Sequence, residues 1–144
     1  MNLEELTGGI NKPQGATWNN EVPKTSLIDT ISRGVQNSGL SQNWSNEDTQ
    51  RQLAYFLLHG IDWGQTKTIA RNPDKYYERN PILGRHPSAG AVDKYFALTG
   101  LGHAGLSLLL SDPTYRKWFQ NLTIGLEAGV TGNNKFNLGI GTDF

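Results

Sequence analysis

The 144-residue chain contains no cysteine, which excludes a disulfide framework, a thiolate metal site and a cysteine nucleophile. It has no net charge either. Its 13 Lys and Arg stand against 13 Asp and Glu, so the electrostatic footprint of a protein that grips nucleic acid through phosphates is missing, and such binding is expected to be nonspecific at most. No window offers the ~20 mainly apolar residues that an independent membrane-spanning helix needs. The sequence does not open on a basic segment followed by an apolar one, so a Sec-type signal peptide is not expected. What is present is glycine, 17 residues, in a chain whose mean hydropathy is −0.51 and which is sharply divided into polar and apolar regions.

The length fits one domain. Residues 1–44 are rich in Gly, Asn, Ser, Thr and Pro, with apolar residues too sparse for a core, and read as an extended polar arm. Within it one short surface helix is expected, Ser26 to Gln36, because Leu27, Ile28, Ile31 and Val35 recur at helical spacing. Residues 45–144 read as a helical core domain. Ser45-Asn46-Glu47-Asp48 has the form of a capping box, and a helical pattern follows to about Arg71. Asn72-Pro73 breaks it, and a turn-rich connector with Asn80-Pro81, Gly84 and His86-Pro87 leads to a second helix, about Ser88 to Leu110. Asp112 caps a third, with Pro113 in its first turn, reaching about Val130. After an expected turn at Gly132-Asn133-Asn134, the tail Lys135 to Phe144 alternates as a short β-strand does. The fold class expected is therefore mainly α: three core helices, an N-terminal arm and a C-terminal strand.

At 100° per residue the first core helix carries a polar stripe of Tyr55, His59, Asp62 and Thr66, and the third one of Arg116, Gln120, Thr123 and Glu127. The second has no charge from Tyr95 to Leu110 and is apolar nearly all round, as suits burial in protein or lipid. Each helix also holds a pair of small residues four apart: Gly60 and Gly64, Gly100 and Ala104, Gly125 and Gly129. Such pairs let helix backbones approach closely. Two arrangements follow from these faces. One is a water-soluble bundle whose polar stripes face solvent; the other is an oligomer whose second helix meets lipid while the stripes line a wet lumen.

His59, Asp62, His103 and Glu127 are four ionisable groups in apolar helices. The sequence has neither His-Glu-x-x-His nor Glu-x-x-His, so a polar network is expected there and no metal. Gly100-Leu101-Gly102-His103-Ala104-Gly105 has the form of a dinucleotide loop without the strand before it or the long helix after it, and no cofactor is expected. No Gly-x-Ser-x-Gly is present, so a serine hydrolase of that type is set aside. The connector and the residues beside it gather Lys67, Arg71, Lys75, Arg79 and Arg85 around Tyr76 and Tyr77, against only Asp74 and Glu78. This basic, aromatic patch suits phosphate, whether of lipid headgroups or of nucleic acid, or simple solvation of a loop.

The stretch Asp62-Trp63-Gly64-Gln65-Thr66, then Ile69-Ala70-Arg71-Asn72-Pro73, Asn80-Pro81-Ile82-Leu83-Gly84, His86-Pro87-Ser88 and Val92-Asp93, resembles a family of small helical, membrane-type proteins of proteobacteria and their phages. The similarity covers about Ser45 to Phe144, and it brings no known activity or catalytic residue. Members of that family usually begin with a hydrophobic segment, where this chain has the polar arm. The resemblance thus implies a phage version: a non-enzymatic, homo-oligomeric virion protein, an ejection protein aiding genome delivery across the host envelope. Its expected location is the virion, and the host membrane after infection, with residues 1–44 contacting other virion proteins and a lipid bilayer as a further partner. The alternatives are a static tail or portal component, and a small membrane-bound metal-dependent hydrolase using His59, Asp62, His103 and Glu127.

Overall fold

A computed structural model describes residues 25–142. Four helices make up its regular structure: α1 (Leu27–Asn37), α2 (Asn46–Arg71), α3 (Ala89–Leu109) and α4 (Pro113–Phe136). Their starts follow from local chemistry. Ser26 and Ser45 each accept the N3 backbone N–H while the N3 aspartate, Asp29 or Asp48, accepts theirs, which completes two capping boxes. Ser88 caps α3 through the Ala91 N–H, and Asp112 caps α4 through the N–H groups of Thr114 and Tyr115.

Helices α2, α3 and α4 form an up-down-up bundle. Side-chain contacts run Gln52 to His103 and Trp63 to Asp93 between α2 and α3, hence antiparallel. Between α2 and α4 they run Arg51 to Gln120, His59 to Glu127 and Asp62 to Asn134, hence parallel. Helix α1 lies on the start of α2, where the hydroxyls of buried Ser32 and Thr49 meet at 2.6 Å and the Trp44 indole N–H donates to Thr49. So residues 25–44 of the expected arm are not extended throughout; residues 1–24 lie outside the described residues.

Two expectations are corrected. Helix α4 does not stop near Val130, and Gly132, Asn133 and Asn134 are helical instead of a turn. Thr131 bonds back to the Glu127 carbonyl, Gln65 donates to the Thr131 carbonyl, and Asn134 donates to Asp62, so contacts with α2 hold the final turns in place. The expected strand from Lys135 is absent among the described residues. The chain instead reverses at Gly139, whose φ of +64° suits glycine, and the N–H of buried Ile140 returns to the Asn134 carbonyl at 2.9 Å. Residues 143 and 144, also in that expected strand, lie outside the described residues.

The distribution of side chains is inverted. Among the described residues only six hydrophobic side chains are buried, whereas eighteen large ones are exposed. The interior holds Asp48, His59, Gln65, Thr66, His103, Ser107, Arg116 and Gln120. Globular cores ordinarily exclude such groups unless every one is bonded, and here nearly all are: only Gln52 Oε1, Gln65 Oε1 and Ser107 Oγ lack a partner among the described buried side chains.

Candidate functional site

The two polar stripes face each other inside one chain and make a continuous polar spine along the α2–α4 contact. At one end stands Arg116, fully buried. Its guanidinium donates to Asp48 Oδ2 at 2.9 Å, to Ser41 Oγ at 2.9 Å, and to the carbonyls of Gln42, Asn43, Ser107 and Leu110. Its five N–H donors therefore all have acceptors, as a buried charge requires. Asp48 also accepts from Arg51 at 2.5 Å and from the Ser45 N–H. Burial pushes its carboxyl up, but the Ser45 N–H, Arg51 and Arg116 outweigh that and hold it below the usual carboxylate range. Gln120 extends the spine, accepting from Arg51 Nε and donating to the Asp48 carbonyl.

Midway lies an aromatic stack. Tyr55 is stacked on His103, ring centres 3.5 Å apart, and its other neighbour is His59 at 5.0 Å. Gln52 meets His103 Nδ1 at 3.0 Å, and Thr123 meets its Nε2 at 2.8 Å. Since the Thr123 hydroxyl already donates to the carbonyls of Phe119 and Gln120, it accepts from His103, which fixes the ring proton on Nε2 and leaves Nδ1 to accept from the Gln52 amide. His59 is held differently. Its Nδ1 faces Glu127 Oε1 at 2.8 Å and its Nε2 faces the Phe96 carbonyl at 3.0 Å. Burial pushes the His59 pKa down, but the Glu127 carboxylate and the Phe96 carbonyl outweigh that and raise it above the usual histidine value, which favours a ring that donates on both sides.

At the connector end Asp62 accepts from Asn134 at 3.3 Å. Asp62, Glu127 and Asn134, with Tyr77, Tyr95 and Leu126, border a cleft of about 530 Å³ between α2, α3, α4 and the connector. The expected network of Tyr55, His59, Asp62, Thr66, His103, Gln120 and Glu127 is thus brought onto one spine, with Thr66 buried beside the cleft. The stripes of α2 and α4 meet within the chain. No three His, Asp or Glu among the described residues stand close enough together to hold a metal ion.

The basic patch is only partly gathered. Lys67 pairs with Asp93 at 3.2 Å and lies over the Trp63 ring, away from the loop. The Trp63 indole N–H and then Lys67 hold the Asp93 carboxyl below its usual range. Lys75 stacks over Tyr76, while Arg79 and Arg85 both lie over Tyr77. The connector closes on itself: the Glu78 N–H donates to the Arg85 carbonyl, and Glu78 Oε1 accepts from the N–H groups of Arg79 and Asn80. Arg71, on the last turn of α2, is exposed.

Of the small-residue pairs, Gly60, Gly125 and Gly129 do not pack against another helix within the described residues, whereas buried Gly100 lies against α2. A Cβ on Gly60, Gly125 or Gly129 would meet nothing within 4 Å; on Gly100 it would reach His59 at 3.5 Å. Gly64 is buried and Ala104 half-buried. The glycines of α4 lie outward because its polar stripe takes the inner face. Sequence reasoning placed Arg116 on that stripe but missed its partner, since Asp48 reads first as a helix cap. It also missed Ser41 to Trp44, whose carbonyls and ring complete the Arg116 cage. The cage's sequence signal is the unusual arginine in phase with Gln120 and Glu127.

Among the described residues no single helix is long and apolar enough to cross a membrane. Compared with models of known families, with curated proteins and with solved structures, the chain matches none.

Proposed function

We propose that this is a non-enzymatic, self-associating virion protein of a phage, an ejection protein that leaves the particle with the genome and aids its passage across the host envelope. The observation that carries the reading is the inverted bundle. Among the described residues eighteen large hydrophobic side chains are exposed against six buried hydrophobic ones, and thirteen of the eighteen lie on α2, α3 and α4, which suits outer faces covered by copies of the chain or by another apolar surrounding. The non-enzymatic part rests on the sequence, which carries no metal-ligand motif, no serine-nucleophile motif and no dinucleotide loop in its strand-and-helix setting. The phage assignment is supported by the motif resemblance, and residues 1–44 are the part assigned to contacts with other virion proteins.

The test is mass spectrometry of purified particles of the encoding phage before and after genome release. The chain is expected in intact particles and depleted from emptied ones. Retention in emptied particles points to the static tail or portal component instead, and absence from both removes the virion role.

A further inference from the structure

We propose that lipid hydrocarbon covers the outer faces of α2, α3 and α4, with the connector lying among anionic headgroups at one end of the bundle. The proposal rests on the reading that the chain leaves water, and is independent of whether a phage particle carries it.

Three observations converge on lipid. The first is a charge-free belt. Between Arg51 and Lys67, between Lys94 and Ser111, and between Lys117 and Lys135, the helices show 15, 16 and 17 residues respectively. The only charged side chains in these stretches are the His59 and Glu127 pair and Asp62, all turned to the spine or its cleft. At 1.5 Å per residue the belt is about 22–26 Å tall, a little under the ~30 Å of a bilayer's hydrocarbon core and within what thinning accommodates. The second is that exposed apolar groups surround the bundle. Leu57 on α2, Leu101 and Leu109 on α3, and Trp118, Leu122 and Leu126 on α4 are all more than 60% exposed. One two-fold contact with a second copy covers one side of such a bundle, whereas lipid covers all of it. The third is charge complementarity at the ends. The connector end gathers Lys67, Arg71, Lys75, Arg79, Arg85, Lys94 and Lys135 against Asp74, Glu78 and Asp93, a net +4, while the far end balances Arg51, Arg116 and Lys117 against Glu47, Asp48 and Asp112. Anionic headgroups suit the first end.

Among the described residues no helix qualifies for lipid alone; α2 and α4 carry the polar residues of the spine, and α3 carries His103. Folded together, the helices satisfy most of those groups on one another, Gln52 Oε1, Gln65 Oε1 and Ser107 Oγ being the exceptions among the described buried side chains, and mutual satisfaction is what lets polar side chains sit at membrane depth.

The chain has no cysteine, so single cysteines in the full-length protein report without background. Leu101→Cys and Leu122→Cys probe the belt; Ile82→Cys in the connector and Ser111→Cys at the far end serve as controls. All four sites are exposed, so folding is little disturbed. The protein is synthesised with vesicles of phosphatidylethanolamine and phosphatidylglycerol, floated, washed with alkaline carbonate and treated with a water-soluble maleimide. Flotation that resists carbonate, with both belt cysteines labelled at least about tenfold more slowly than in denaturing detergent and at least one control labelled freely, is the expected result. Carbonate release, or free labelling of the belt, overturns the proposal. So does a soluble oligomer that shields Leu101→Cys and Leu122→Cys without vesicles, which makes a second copy the occupant. Replacing Arg79 and Arg85 by serine should lower flotation on these vesicles but not on phosphatidylcholine; equal flotation of parent and variant on both removes the headgroup half. Particle mass spectrometry is unaffected by any of these outcomes, so the two readings fail separately.

Discussion

Between α2 and α4 lie Arg116, Asp48, Gln120, His59 and Glu127; on the outer sides of the same helices lie Leu53, Leu57, Trp118, Leu122 and Leu126. In a water-soluble bundle these two sets trade places, with leucines between helices supplying nondirectional burial and charges outside. Here cohesion within the chain comes from directional bonds. That difference has two consequences. A hydrogen-bonded interior specifies one pairing of helices, because a partly satisfied network is worse than none. It also contributes little net stability per bond in water, about 0.5–1.5 kcal/mol each.

The comparison breaks most visibly at Arg116. Arg116→Met leaves Asp48 buried with Arg51 and takes the donor from acceptors on six residues, and should destabilise the protein by about 3–5 kcal/mol, read from chemical unfolding of the full chain. Adding Asp48→Leu should recover part of that loss, since the second change removes the orphaned charge. Acid probes the same pair without mutation. Because the Asp48 carboxyl is held below its unfolded value, the stability it confers is present above about pH 4 and lost as pH falls through the folded pKa; an acid unfolding curve of the Arg116→Met protein should be flatter there than the parent's.

A smaller effect is expected at the spine's centre. His59→Leu leaves Glu127 and the Phe96 carbonyl without their shared donor and should cost about 1–3 kcal/mol. Outside the bundle the sign reverses. Gly125→Ala adds a methyl where nothing lies within 4 Å and should raise helix stability by up to about 1 kcal/mol; a loss of thermal stability in the isolated chain would place that face against a neighbouring helix.

Much of the frame was legible in the sequence. Ser45, Ser88 and Asp112 announced three helix starts, and Asn72-Pro73 one end, because caps and breakers act within a few residues. The stripes were legible too, since Tyr55, His59 and Asp62, like Gln120, Thr123 and Glu127, recur at helical spacing. Their direction was not. Polarity on a helix face ordinarily means water, and what turned it inward were partners 68 to 75 positions away, such as Arg116 with Asp48 and with Ser41. The outward glycines follow from the same inversion. The tail was misread because Phe136, Leu138 and Ile140 alternate like a strand, while the side chains that hold α4 helical, Asn134 and Thr131, act through bonds to and from α2.

Two tryptophans at the same end of the bundle allow the inversion to be tested directly. Trp44 is buried at 4% exposure with its ring against Arg116, and Trp118, two residues along α4 from that arginine, is 71% exposed. Fluorine NMR of the fluorotryptophan-labelled full chain in vesicles, with Trp118→Phe and Trp44→Phe to assign the signals, reports each ring's surroundings. An inverted bundle predicts that a spin label on the lipid acyl chain broadens the Trp118 signal while the Trp44 signal keeps its width. Broadening of Trp44 with Trp118 unaffected, or broadening of Trp118 only by a water-soluble agent, would contradict it.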